Sequence, residues 1–330
     1  MRDINNKINV DSDDEIFSLR PLKLDEYIGQ KDLKDLLKVY ISTAKNRQEP
    51  LDHVLLFGPP GLGKTTLAYV IANEMNAKII ATSAPALKKP GDLAKILTSL
   101  EGNEILFIDE IHRLPPILEE MLYIAMEDFL LDISVDSYND TDVIRVELPP
   151  FTLVGATTRF GDLSFPLRER FGIVQSLDFY STQELSLIIE RTSKIFKYQI
   201  NADACEMLAK CSRGTPRIAN RLFKRVRDFA QYNNKLIIDK DIIIYALNKL
   251  NIDSYGLDIN DRKYLEVLIK CFNGGPVGIT SISTFLNVEV TTIEDVFEPY
   301  LIQEGFIMRT RRGRIACSKA YEHLDIEKEK

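Results

Sequence analysis

Cysteine is scarce and scattered in this 330-residue chain: Cys205, Cys211, Cys271 and Cys317 form no C-x-x-C pair. That argues against a disulfide framework or a thiolate zinc site, and reduced thiols in a cytosolic protein are the expectation. Histidine is scarcer still, and His53, His112 and His323 lie too far apart in sequence to suggest a metal site. Positive charge is not in excess. A formal net charge of −7 excludes a protein that coats nucleic acid through bulk charge, so any such contact must come from local patches. No run of about 18 apolar residues is present to span a bilayer. The first fifteen residues, MRDINNKINVDSDDE, have no apolar core and do not read as a secretory signal, so a cytoplasmic location without membrane contact is expected. The rest of the composition, 45% hydrophobic and 28% charged, is that of an ordinary globular protein with room for two or three domains.

Against that background one segment stands out. Residues 58–66 read Gly-Pro-Pro-Gly-Leu-Gly-Lys-Thr-Thr and follow the apolar run His53–Phe57. Gly58, Gly63, Lys64 and Thr65 fit G-x-x-x-x-G-K-[ST], set between a strand and an apolar helix. Glycines let successive backbone N–H groups turn inward around phosphate, and the helix adds its positive N-terminal end. Lys64 is placed to reach the β- and γ-phosphates, and the Thr65 hydroxyl to ligate Mg2+.

Strands and helices alternate over residues 31–180. Helical spacing predicts a helix over Lys31–Arg47 with Leu33, Leu36, Leu37, Tyr40 and Ile41 on its apolar face. Strands are predicted at 54–57, 78–81, 105–109, 151–156 and 173–179, with helices over 64–75, 92–100 and 115–129. This alternation implies a parallel sheet flanked by helices, with ligands at the carboxyl ends of the strands. An apolar hairpin, 131–135 and 143–148 around a polar turn, interrupts it; a partner-docking arm and an extra pair on the sheet edge fit equally. After Tyr180 the pattern is helical to about Leu250. Thr215 reads as an N-cap followed by Pro216 at the first helical position, opening a helix that buries Ile218, Leu222, Val226 and Phe229. From Asp261 a third composition begins: helices over 261–272 and 281–287, and a capping box Thr291-x-x-Glu294 opening a third. Pro299 should kink or end that third helix. Strands 306–309 and 314–317 close a winged-helix outline.

Several side chains carry chemistry. Asp109, at the end of an apolar strand, would hold Mg2+, and Glu110 can orient an attacking water; phosphoryl transfer needs little more than positioning and charge neutralisation. Arg168 reads as a surface partner of Glu169. Arg170, at the sheet margin, could reach a γ-phosphate in a neighbouring subunit, where an always-charged fork has most effect. Arg217 is the second residue of its helix, a position the helix dipole disfavours for a cation unless a phosphate docks there. Arg221, Lys224, Arg225 and Arg227 read as a solvated face. Arg309, Arg311, Arg312 and Arg314 cluster on the C-terminal hairpin, and phosphate contacts and a solvated charge run fit them equally.

The chain resembles the RuvB family of AAA+ motors over nearly its whole length. The resemblance is carried by Arg20-Pro21, Asp25–Gln30, the loop 58–66, Leu106–Leu114, Ala125–Asp128, Gly155–Arg159, Leu167–Gly172, Arg213–Asn220, Arg225–Ala230, Glu298–Gly305 and Arg309–Arg314. It implies an α/β fold: an AAA+ P-loop domain over 1–180, a small helical lid over 181–253 and a winged-helix head over 254–330. It also implies an ATP-hydrolysing homohexamer around duplex DNA that migrates Holliday junctions. RuvA is expected to dock on the hairpin near 131–148, with RuvC as the resolvase. By position Gly61, Gly63, Lys64, Thr65 and Thr66 would bind phosphate and Mg2+. Thr158 would be a first sensor, Arg170 a trans finger and Arg217 a second sensor. Leu19, Arg20 and Tyr180 would close over ATP, with Glu127, Asp128 and Phe129 nearby, and Arg309 and Arg314 would meet DNA. Two features depart from the pattern: Val290 replaces a basic residue expected in some relatives, and the hairpin tip Asp136–Asp142 is longer and more acidic. A clamp-loader or initiator-type switch acting on a protein is the alternative; a DExH helicase, suggested by Asp109–His112, lacks strands for a second domain.

Overall fold

The computed structural model describes residues 19–136 and 141–327, and divides after Asp178 into two compact units. The N-terminal fifteen residues and most of the hairpin tip lie outside the described residues. Among the described residues no helix is long and apolar enough to cross a membrane.

In the first unit α1 (Lys31–Arg47) buries Leu33, Leu37 and Ile41, whereas Leu36 and Tyr40 are exposed, so the apolar stripe is narrower than predicted. The strands β1 (Val54–Phe57), β2 (Ile79–Ser83), β3 (Ile105–Asp109), β6 (Thr152–Thr157) and β7 (Ile173–Ser176) form one parallel sheet in the order β2-β3-β6-β1-β7. Between them run α2 (Lys64–Met75), α3 (Pro90–Thr98), α4 (Pro116–Asp128) and α5 (Phe165–Glu169). Leu55, Leu106, Ile108 and Leu153 pack with Leu93 and Leu97 of α3 and Leu118 and Leu122 of α4, while α2 packs on β3 and β6. The middle strands β3 and β6 are buried along their length except at Asp109, the half-buried last residue of β3, as expected of a parallel sheet.

One polar side chain in this core has a structural task. His53 Nδ1 accepts the Leu153 N–H at 2.9 Å, so Nε2 carries the proton it donates to Met126 O at 3.1 Å. Burial holds its pKa below the ordinary value, and the neutral ring pins the end of α4 to the sheet. The hairpin β4 (Leu130–Asp136) and β5 (Thr141–Glu147) pairs only with itself. The sheet-edge reading is therefore wrong. Asp132 and Arg145, opposite each other in that register, are bidentately paired at 2.8 and 2.9 Å.

The second unit starts with α6 (Thr182–Ile195), capped by a Ser181–Glu184 box. Helices α7 (Ala202–Lys210), α8 (Pro216–Tyr232) and α9 (Lys240–Lys249) follow, with the short parallel pair β8 (Gln199–Ile200) and β9 (Ile237–Ile238). Helix α8 buries Ala219, Leu222, Phe223, Val226 and Ala230; Ile218 and Phe229 are only half-buried. The shift follows from Phe223 stacking on Phe196. Arg227 and Lys224 lie over that same Phe196 ring rather than forming a purely solvated face.

A separate core, with Tyr264, Leu268, Ile282, Ile293, Leu301 and Phe306 among its members, gathers α10 (Ile259–Glu266, continued as a π turn to Cys271), α11 (Ile279–Leu286) and the third helical segment. That segment comprises α12 (Val290–Thr292), a π turn over Ile293–Phe297 and α13 (Glu298–Gln303). Pro299 neither ends nor breaks it. The wide π turn directly ahead accommodates the missing N–H and the ring. The predicted capping box fails: Glu289 is the N-cap, and Glu294 is drawn to arginines instead. Strands β10 (Ile307–Thr310) and β11 (Gly313–Ala316) and helix α14 (Ser318–His323) complete a winged-helix outline.

Candidate functional site

The loop from β1 into α2 adopts a backbone that glycine alone takes easily. Gly58, Gly61 and Gly63 have φ of 133°, 85° and 100°. A Cβ on Gly58 would lie 2.5 Å from Leu177 O, and one on Gly63 2.8 Å from the Tyr27 hydroxyl. Lys64 opens α2, is 8% exposed, and donates to Gly58 O at 2.7 Å and Pro59 O at 2.9 Å. Its ammonium is thus held within the loop, where phosphate oxygens can replace two neutral carbonyls with stronger, charge-assisted bonds.

One residue on, Thr65 Oγ1 lies 3.3 Å from Asp109 Oδ2, while Asp109 Oδ1 accepts the Glu110 N–H at 2.9 Å. A hydroxyl and a carboxylate converging from α2 and β3 are the hard oxygen donors that suit Mg2+. These residues fit the ion. Thr66 follows on the same half-buried turn. Glu110 has φ of 51°, an uncommon conformation for a non-glycine residue, and its carboxylate pairs with Arg113 at 2.7 Å. That pair is half-exposed and therefore weak, so the carboxylate is easily released.

His112, two residues further, is tied to the neighbouring strand. Its Nδ1 lies 2.9 Å from Thr157 Oγ1, which also accepts the Arg159 N–H at 2.9 Å. Burial lowers the His112 pKa and keeps the ring neutral. Thr157 ends β6, and Thr158 emerges exposed directly after it. The carboxylate segment and Thr158 are thereby held in one hydrogen-bonded frame.

Arg170 follows α5 and is held by α4. It pairs with Glu127, donates to Pro166 O at 3.4 Å and lies 5.3 Å from the Tyr123 ring. Asp128 is exposed at the end of α4, whereas the Phe129 ring packs against His53 and Phe151, so its side chain belongs to the core. Among the described residues Arg168 makes no ion pair with Glu169; it lies over the Phe160 and Phe165 rings. Leu19 is half-buried, and Arg20 covers the Tyr69 ring of α2 at 4.7 Å.

The second unit holds the remaining candidates. Tyr180 is buried, its N–H donating to Gly214 O at 2.8 Å, and Arg217 is exposed on the first turn of α8. The hairpin arginines divide into two kinds. Arg311 and Arg312 are exposed in the turn between β10 and β11. Arg309 and Arg314 face each other across the strands and share Glu298, a fully buried carboxylate that also accepts from Tyr264 at 3.0 Å. Arg314 is 11% exposed and binds Glu294 as well, at 3.2 Å. Burial works against charge on Glu298, but the hydrogen bonds from Arg314 and Arg309 outweigh it and hold the carboxyl below its usual pKa. Arg314 is thus a strut of the hairpin as much as a candidate contact.

Three stretches match family models. Residues 19–177 match the Holliday junction DNA helicase RuvB P-loop domain, 180–253 the RuvB AAA lid domain, and 254–325 the RuvB C-terminal winged helix domain. The chain belongs to the RuvB family. It is 55% identical to the Holliday junction branch migration complex subunit RuvB of Acholeplasma laidlawii over 320 residues, 97% of this chain and 95% of that protein. Against the same subunit of Oenococcus oeni the identity is 57% over 316 residues, 96% and 94% of the two chains. The solved Thermotoga maritima RuvB Holliday junction branch migration motor superimposes with a TM-score of 0.86 at 52% identity, covering 94% of this chain and 99% of that one. RuvB membership makes the first unit a P-loop AAA+ ATPase unit. Glu127 as partner of Arg170, His112 on Thr157 and Glu298 under the hairpin were not legible beforehand; the first two pairs join residues 43 and 45 positions apart, and Glu298 lies 11 and 16 positions from its arginines, on a different element.

Proposed function

We propose that this chain is the ATP-hydrolysing motor that drives Holliday junction branch migration, working as a homohexamer on duplex DNA. The observation that carries the reading is the convergence of Lys64, Thr65, Asp109 and Glu110 at the end of one sheet, with Arg170 engaged by α4 rather than by the phosphate loop. One subunit has a phosphate grip, a cation site and a water-orienting carboxylate; the missing positive charge comes from the next subunit. Thr65 and Asp109 hold Mg2+, which when bound neutralises charge on the phosphates. Thr158 reports the state of the γ-phosphate, and Arg217 contacts it from the lid. Leu19, Arg20 and Tyr180 cover the nucleotide.

On this reading the ATPase domain spans 1–180, the lid 181–253 and the head 254–330. Arg309, Arg311, Arg312 and Arg314 meet phosphates of duplex DNA, RuvA docks on the β4–β5 hairpin, and RuvC resolves the migrated junction. Such a protein works in the cytoplasm. The clamp-loader alternative finds no support in the Acholeplasma laidlawii and Oenococcus oeni relatives, which both carry the branch-migration name. The deciding experiment is strand displacement from a synthetic four-way junction, with ATP and Mg2+, with and without RuvA. Wild-type chain should migrate the junction and Lys64→Ala should not; equal inactivity of both overturns the reading.

A further inference from the structure

The turn between α7 and α8 leads directly to Arg217, and one of its residues points the other way. Arg213 has φ of 50°, and its Nε donates to Gly256 O at 2.7 Å. Its terminal amino group pairs with Asp261 of α10 and reaches Asp258 at 3.5 Å. These two aspartates are not loose surface groups. Asp258 is the N-cap of α10, accepting the Asp261 N–H at 3.1 Å, while Asp261 accepts the Asp258 N–H at 2.9 Å. Arg213 therefore grips a capping box whose shape is already fixed. Asp261 is 1% exposed; burial raises its pKa to about 6, so at neutral pH the pair is ionic.

The contact is reinforced on both sides. Gly256, with φ of 76°, comes so close that a Cβ there would lie 2.3 Å from Cys211 O. The Tyr300 ring of α13 lies 5.8 Å from the Arg213 guanidinium, and its hydroxyl donates to Tyr255 O at 2.8 Å. His323 of α14 reaches Asp253 at 2.9 Å. Towards the lid, Gly214 O accepts from Tyr180 and Thr215 occupies the N-cap position of α8. A planar fork with fixed donors suits such a joint better than a single ammonium would.

We infer that Arg213 is a positioning residue that locks the Arg217 turn of the lid to the winged-helix head, so that displacement at the nucleotide is delivered to the DNA hairpin. The inference rests on the proposed roles of Arg217 and the hairpin arginines, and energetic coupling through such packed, hydrogen-bonded networks is its physical basis. Loosening the joint should spare hydrolysis and waste it.

The test uses the full chain with RuvA and a four-way junction, comparing wild type, Arg213→Ala and the double variant Arg213→Ala/Asp261→Asn, which leaves no orphaned carboxylate. Two quantities are read: ATP hydrolysed without DNA, and junctions migrated per ATP consumed. DNA-free hydrolysis should stay within twofold, while migration per ATP should fall at least fivefold in both variants. A wild-type ratio in either overturns the inference, as does a parallel loss of both quantities, which a merely structural role produces. A spin-label distance between positions 232 and 308 gives a readout independent of function. Its distribution should be narrow in wild type and broad in the variants; equal widths overturn the inference. A wild-type chain that migrates nothing, yet keeps this difference in width, instead brings down the functional reading.

Discussion

The Thr65 hydroxyl and the Asp109 carboxylate meet at 3.3 Å, joining the first turn of α2 to the end of β3. Both are oxygen donors of the kind Mg2+ prefers, and neither has a better reason to face the other. Thr65→Val keeps the shape and removes the donor. We expect ATP hydrolysis to fall about 100-fold, equivalent to about 2.7 kcal/mol of barrier, with the thermal midpoint little changed. Steady-state phosphate release over a Mg2+ titration checks this; hydrolysis at the wild-type rate would mean that the cation is held elsewhere.

The pairing of Arg170 with Glu127 gives the proposed trans finger a resting partner on its own α4. Arg170→Ala should leave nucleotide binding nearly intact and lower ring hydrolysis by about 1,000-fold, the scale of an arginine finger. On the proposed shared centre, mixing Arg170→Ala with Lys64→Ala should restore part of the activity, since some junctions between subunits then carry both groups. Mixed rings that form and stay inactive would contradict the shared centre. Glu127→Ala is the complementary change: it frees the finger and should not abolish turnover.

How much of this was legible beforehand depends on whether the signal is local. Helices 31–47 and 64–75 and strands 54–57 and 105–109 lie where periodicity placed them, because short motifs fix their ends. Gly63, for example, occupies the left-handed N-cap of α2. Local logic failed where a distant partner won. Thr291-x-x-Glu294 has the spacing of a capping box, yet Glu294 binds Arg314, which lies twenty positions on. The glycine loop and the Thr65–Asp109 convergence followed from motif chemistry, while the pairings of Glu127 with Arg170, His112 with Thr157 and Glu298 with the hairpin arginines required the fold. Arg170 was marked by its place, but what holds it was not.

The hairpin arginines should respond unequally to mutation. Arg311 and Arg312 are exposed in the turn, so Arg311→Ala and Arg312→Ala should weaken duplex binding and leave stability unchanged. Each lost phosphate contact should lower the slope of log affinity against log salt by about 0.9. Arg314→Ala removes a partner of buried Glu298 and should lower the melting temperature as well. Fluorescence anisotropy at several salt concentrations, alongside thermal unfolding, separates the two classes. Equal losses of stability in all three would show that the turn is structural.

Glu298 makes the C-terminal region sensitive to acid, and the sign follows from its environment. Its carboxyl lies below the ordinary 4.5 in the folded chain: burial opposes the charge, but Arg314 and Arg309 prevail. A lowered folded pKa means the carboxylate stabilises the fold above about 4.5, and that this is lost as pH falls through the folded value. Removing the side chain at neutral pH leaves two guanidinium groups over a buried void. Glu298→Ala should therefore cost about 3–5 kcal/mol, the range for breaking a buried ion pair. Glu298→Gln keeps the volume and a hydrogen-bond acceptor but cannot titrate, so it should cost less and flatten the acid limb. Thermal melts of wild type and Glu298→Gln from pH 7 to pH 3 should converge as the wild-type carboxyl takes up its proton. Curves that stay parallel over that range would mean that Glu298 is already neutral, and that Arg309 and Arg314 are held by Glu294 alone.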